Sequence, residues 1–558
     1  MTENFLYHLV ILPILLPIAT AALLLFYDER RRKLKLWISL SSIGLLVLVS
    51  IGLIGRAIDV SPHAEVYNLG NWQAPFGIVL VLDRLSAAMV FLASILAAAS
   101  LVFSAAHWHK AGPHFHSLMQ FMIAGVNGAF LTGDLFNLFV FFEVMLTASY
   151  GLALHGSGLA RVRAGMHYVV INLIASSFFL IGAALIYGVC GTLNMADLAL
   201  KLQTLKSADR IIFESGAAIL GIAFLVKAGM WPLNFWLTPT YSSAAAPVGA
   251  TFAILSKVGI YVVLRLTLLV FGTNGGTLTG FGNDILFYGG LATLIFGFIG
   301  VLASQALGRL ASYSVLVSSG TLLAAIGTGN ASLTAGALFY IVSSTLSLAA
   351  FFLLVELVER SQDTAANVLA VTMEVYGEDE EDEEDEVGTY IPATLAILGA
   401  CFGITAILII GMPPFSGFVA KFMMITGVFN PDVNGNGYQP SARDWTFVAL
   451  LIFSGFAALI AMTRTGIRTF WASIEGKVPR VQVIEFAPVA GLLGLCLLLT
   501  IAAGPVSRYM GKAAEELHHP QNYIDSVLPQ ANVAVSPNPS QEITAGLIDK
   551  VEVERGMK

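Results

Sequence analysis

Runs of about eighteen or more apolar residues recur along most of this chain, and that repetition limits its fold more than any motif does. A run of that length, wound as a helix, spans about 30 Å of hydrocarbon. The runs lie near 5–27, 35–57, 80–105, 115–133, 135–155, 166–190, 212–231, 245–271, 285–304, 310–328, 334–357, 391–428, 445–466 and 486–506. They predict an all-α polytopic membrane protein of about 14 transmembrane helices. Composition agrees, since 56% of the 558 residues are hydrophobic and only 12% charged, far from a soluble domain. The first run follows Met1-Thr2-Glu3-Asn4 with no basic stretch and no small-residue cleavage site, so a retained helix is expected rather than a removed signal. The three cysteines, Cys190, Cys401 and Cys496, lie in or at the end of apolar runs at unrelated spacings, which suggests neither a disulfide framework nor a metal cluster.

Basic residues in the short loops set the orientation. With the N-terminus outside, the inner loops hold Arg30 to Lys33, Lys35, Lys110, Arg161, Arg163, Arg309, Arg360, Arg464, Arg468, Lys477 and Arg480. The outer loops then hold Arg56, Lys201, Lys206, Arg210 and Arg443. Both termini are therefore expected at the periplasm or cell exterior. One inner loop carries nine consecutive acids, Glu378 through Glu386, which outweigh the whole net charge of −7. Such a run repels itself and buries nothing, so it is expected as a solvated insert over about 361–390. It lacks the spaced ligands and turn glycine of a calcium loop. The stretch 511–558, with Pro520, Pro529, Pro537 and Pro539, is expected to be a flexible tail.

Against this apolar background four charges stand deep inside the runs: Glu143, Lys227, Lys257 and Lys421. An ionisable group at bilayer depth costs about 2.5–3.5 kcal/mol on insertion scales, and usually marks an ion or proton path. Glu143 among Phe141, Phe142 and Val144, and Lys227 among Val226 and Ala228, each resolve the other's burial if they pair. The alternative is a static ion pair that pins two helices. Lys257 has no carboxylate within a helical turn, and a lone buried lysine tends to shed its proton, as a relay station requires. Lys421 is similar, with snorkelling to an interface as the plain alternative. His167, after Arg161 and Arg163, is either a proton entrance or an interfacial histidine. Asp83, Arg84, Asp134 and Arg265 lie near helix ends and read as interfacial anchors or loop pairs. No phosphate loop, zinc spacing or nucleophilic triad appears, so neither an enzyme site nor a cofactor is expected.

Gly229-Met230-Trp231-Pro232 and Gly411-Met412-Pro413-Pro414 echo each other, each a few residues from an intramembrane lysine. Glycine and proline interrupt helices, and paired breaks in two halves point to repeated transport units.

The run Leu82-Asp83-Arg84-Leu85-Ser86-Ala87, the helix around Glu143, the block Lys227 to Trp236, the stretch Pro247 to Tyr261, and Gly411 to Phe418 with Lys421 resemble the family shared by Mrp-type (Mnh/Pha) multisubunit cation/proton antiporters and the antiporter-like subunits of complex I. Over roughly 5–510 the resemblance is strongest to the D-type component of the antiporters. It implies two inverted repeats, helices 4–8 and 9–13, with helices 7 and 12 broken. The layout becomes 1–110 for helices 1–3, 111–271 and 280–466 for the repeats, and 480–510 for helix 14. It further implies Glu143 and Lys227 as coupling pair, Lys257 as central relay, Lys421 as terminal relay, and Ser256, Ser312, Ser314 and Ser318 as supports that order water. Where many relatives have a histidine, this chain has Ser343. The function implied is the ion-translocating part of a Na+ or K+/proton antiporter driven by the proton motive force, in a bacterial inner membrane, with other subunits as partners and no nucleic acid. Two alternatives stand beside it: a proton-pumping subunit of complex I or of a membrane-bound hydrogenase, and a structural membrane scaffold.

Overall fold

A computed structural model describes residues 7–273, 275–375, 393–429, 440–470 and 481–528. The helices, in chain order, are α1 (Leu12–Phe26), α2 (Arg32–Val60), α3 (Arg84–Ser104), α4 (Phe115–Leu131), α5 (Leu135–Ala153), α6 (Leu159–Cys190), α7 (Met195–Gln203), α8 (Ser207–Ala228), α9 (Leu237–Ser243), α10 (Ala246–Leu269), α11 (Asn283–Ala303), α12 (Leu307–Gly327), α13 (Ala331–Val375), α14 (Ala393–Ile410), α15 (Ser416–Val428), α16 (Ala442–Phe470), α17 (Val483–Ile501), α18 (Ala503–His518) and α19 (Gln521–Val527). Among the described residues, twelve are long and apolar enough to cross a membrane. With the shorter α1 and the 17-residue α4 they match the fourteen expected runs, so the chain is a multi-pass membrane protein. The acidic run Glu378–Glu386 lies outside the described residues.

The helices at the centre of the bundle are the ones with most to hide. α10 and α13 are buried over 94% of their most apolar windows, whereas α2, α6 and α17 turn much of their surface outward. An apolar side chain gains nothing by leaving lipid, so burial here reflects close packing and internal polar contacts rather than hydrophobic expulsion.

The structure corrects two expectations. The third apolar run predicts helix from residue 80, but Val79–Leu82 is a strand paired antiparallel with Glu65–Asn68. β-branched Val79 and Val81 favour the pleat. The helix starts only at Arg84, where Asp83 caps it: its carboxylate accepts from the Ser86 amide while the Ser86 hydroxyl accepts from the Asp83 amide. The second correction concerns the tail. Residues 503–518 and 521–527 are helical, with Met510, Ala513, Ala514 and Leu517 along one buried face. Pro520 does not loosen this segment, because it falls in the turn between the two helices. Only residues beyond 528 lie outside the described part.

This C-terminal arm folds back over one end of the bundle. Glu516 bonds Arg84 at 2.8 Å and Ser61 at 2.6 Å, the Tyr509 hydroxyl donates to the Arg84 carbonyl, and His518 meets Thr334. Beside it Arg265 and Asp83 form a buried ion pair at 2.5 Å, so these groups lock helix ends together inside the protein instead of anchoring at a surface. Asp134 is a helix cap, its carboxylate accepting from the Asn137 amide. At the opposite end Arg32 bonds the Lys110 carbonyl, Arg161 the Ser243 carbonyl, and Arg464 the Leu302 and Ser304 carbonyls. Much of the basic set that the loop rule puts on one side thus gathers at one end.

Candidate functional site

The two glycine-led breaks share a local geometry. α8 ends at Gly229 with φ +74°, and α14 ends at Gly411 with φ +80°. Both conformations are left-handed, which glycine alone adopts without strain. After α8 the Gly229 amide bonds the Val226 carbonyl and the Met230 amide the Leu225 carbonyl. This is a Schellman closure. After α14 the Met412 amide reaches back five residues to Ile407 in the same way. Side chains add to this: the Trp236 indole also donates to the Val226 carbonyl, and the Lys421 ammonium donates to the Ile410 carbonyl at 2.8 Å. The break at bilayer depth is thus satisfied from within.

Lys227 lies two residues before Gly229, fully inside the bundle. A Cβ added at Gly259 of α10 would sit 3.1 Å from the Lys227 Cβ and 2.8 Å from the Ala228 nitrogen, so this glycine lets the end of α8 press against α10. The expected direct contact between Lys227 and Glu143 is absent. Lys227 donates instead to Oδ1 of Asn172 at 2.6 Å, and Glu143 accepts from the hydroxyl of Ser176. Asn172 and Ser176 are four residues apart on α6, hence neighbours on one helical face. The pair is therefore bridged by one turn of α6.

Lys257 of α10, at zero exposure, donates to Ser318 of α12 at 2.7 Å, and Ser318 donates to Ser344 of α13 at 3.1 Å. Ser343 meets Ser416, the first residue of α15, at 2.8 Å. Ser343 thus belongs to a buried hydroxyl pair. Five residues further along α15 stands Lys421, its ammonium between the Ile410 carbonyl and Gly455. A cavity of about 340 Å³, lined by Gly411, Met412, Phe418, Lys421 and Gly455 among others, opens beside it.

Other predicted supports fall away from this line. Ser312 and Ser314 donate to carbonyls of their own helix, those of Gly308 and Leu310. Ser256 faces the Tyr241 phenol without a hydrogen bond of normal geometry. His167 is exposed and turned to the Arg163 carbonyl. Sequence reasoning missed Asn172, Ser176, Ser344 and Ser416. One signal was available: Tyr168, Asn172 and Ser176 repeat every four residues along one face of this helix.

Known proteins resemble this chain in sequence and in fold. The family described as NADH:quinone oxidoreductase/Mrp antiporter, transmembrane, matches residues 132–434, which include all four intramembrane charges. The D-type component of a probable K+/H+ antiporter of Rhizobium meliloti is 60% identical over 529 residues, covering 94% of this chain and 98% of the relative. The D-type component of a Na+/H+ antiporter of Alkalihalophilus pseudofirmus is 35% identical over 528 residues, covering 93% and 99%. A chain of the solved Mrp complex from Dietzia has the same fold, with a TM-score of 0.80 at 24% identity over 94% of this chain and 99% of that one. On its sequence and its fold alike, the chain belongs to the NADH:quinone oxidoreductase/Mrp antiporter transmembrane family.

Proposed function

We propose that this chain is the ion-translocating D-type component of a multisubunit monovalent cation/proton antiporter, with K+ as its cation. The observation that carries the proposal is the set of three buried lysines and one carboxylate, each seated on neutral polar groups of neighbouring helices within the bundle. Glu143 and Lys227 act as the coupling pair, Lys257 as central relay supported by Ser318, and Lys421 as terminal relay. The relay divides between two inverted repeats, 111–271 and 280–466. One charge crossing 100 mV is worth about 2.3 kcal/mol, so inward protons can drive the cation out without chemical fuel. The 60% identical relative, named for K+ and protons, supports the choice of cation.

The protein resides in the bacterial inner membrane with both termini outside, and works in a complex with the other antiporter subunits. The test is antiport in everted vesicles of a host stripped of its own antiporters, carrying the complete set of subunits. Adding K+ is expected to dissipate the respiratory ΔpH, with Na+ weaker. Dissipation by neither cation, with the complex assembled, overturns the proposal.

A further inference from the structure

An amide stands where an ion pair is expected. We propose that Asn172, together with Ser176, is a positioning residue that holds the Glu143–Lys227 pair open, so that each charge alternates between a neutral partner on α6 and its opposite charge. This rests on the coupling role given to the pair above, and deepens it.

Three observations converge. The Asn172 side chain is held in one orientation, because its Nδ2 donates to the Tyr168 carbonyl at 2.7 Å and leaves Oδ1 for Lys227. Tyr168 is itself fixed, with its hydroxyl 2.7 Å from Ser149 on α5 and its ring stacked on Trp236 at 5.2 Å. Asn172 is fully buried and cannot trade this bond for bulk water. Next, Ser176 occupies a carboxylate oxygen of Glu143, so both charges are engaged by the same helical turn. Last, the contact at Gly259 wedges the Lys227 backbone against α10, which leaves the side chain as the part free to move.

The chemistry favours such a bridge in a moving part. Separating two buried opposite charges in direct contact strands both. When each already has a neutral hydrogen-bonding partner within reach, making or breaking the pair exchanges one satisfied contact for another. The plain alternative is that Asn172 merely glues α6 to α8, as polar side chains commonly do between membrane helices. Glue would change assembly and leave the pH dependence of transport where it was.

The experiment uses the complete complex in everted vesicles, with Asn172→Leu, Asn172→Asp and Asn172→Ser. Leucine removes the acceptor, aspartate keeps the shape but ties Lys227 to a fixed anion, and serine restores a neutral acceptor. The leucine and aspartate variants are expected to assemble and to lose at least about tenfold in rate, the scale of one charge-assisted hydrogen bond. Their residual antiport is expected to reach half-maximum at a pH about half a unit or more from the parent's, since a changed partner changes proton affinity. Serine is expected to recover most of the rate. Should the leucine variant fail to assemble, the isosteric aspartate variant decides alone. Parental rate and pH profile in the variants that assemble, or a serine variant as slow as leucine, overturns the inference. If Glu143→Ala and Lys227→Ala also transport normally, the coupling reading has failed; if they are inactive, only the role of Asn172 has.

Discussion

Two groups of buried charges in the bundle are seated differently. In the first, a carboxylate and an ammonium share one turn of α6. In the second, Lys257 and Lys421 rest on hydroxyls and a backbone carbonyl, and no carboxylate of the described residues pairs with either. Under the proposed function, the first group is a switch with two poles and the second a line of single stations whose charge changes as protons arrive and leave.

Removing one pole is the largest perturbation. Glu143→Ala and Lys227→Ala are each expected to reduce antiport to background while the complex assembles, measured as ΔpH dissipation on cation addition. Near-normal transport in both would erase the distinction between the two groups. Lys257→Arg comes next. Arginine keeps the positive charge but is effectively never deprotonated, so a station that must lose its proton is frozen. At least about a tenfold loss is expected, and the arginine variant should resemble Lys257→Ala. Transport at the parental rate would make Lys257 a fixed electrostatic element.

Gly411→Ala tests the seat of Lys421. The added Cβ would lie 2.6 Å from the Lys421 Cδ, on a backbone with φ +80°. Left-handed strain alone costs about 1–2 kcal/mol, so thermal unfolding in detergent should occur at lower temperature, with transport reduced more than stability implies. Smallest is the hydroxyl pair. Ser343→Ala or Ser416→Ala breaks one neutral hydrogen bond, worth about 0.5–1.5 kcal/mol. Each is expected to slow transport by about threefold. A collapse equal to that of Lys257→Ala would show that the hydroxyls carry the proton themselves.

Much of this is legible in the sequence, and for identifiable reasons. A charge in an apolar run has nowhere to hide, so Glu143, Lys227, Lys257 and Lys421 announce themselves. Glycine followed by proline names a break as plainly, and both breaks sit where Gly229 and Gly411 put them. What stays hidden are partners whose meaning depends on facing. An asparagine or serine in a membrane helix is ordinary until a charge points at it, and nothing in the sequence aims Lys227 at Asn172 rather than at Glu143. The C-terminal arm misleads because its prolines catch the eye before its periodicity does. Met510, Ala513, Ala514 and Leu517 nonetheless spell a helical face.

That arm also bears on how the protein is made. Glu516 closes on Arg84 across 432 residues of chain, and Ser526 meets the Ala64 amide across 462. At about 5–20 residues per second, the ribosome delivers the second partner roughly 20–90 seconds after the first. Throughout that interval the early helices wait in the bilayer with a buried arginine lacking its final counterion. A segment made late is the clasp on one made early, so a chain cut short before residue 516 contains nearly all the membrane-spanning helices and still leaves this end of the bundle unfastened.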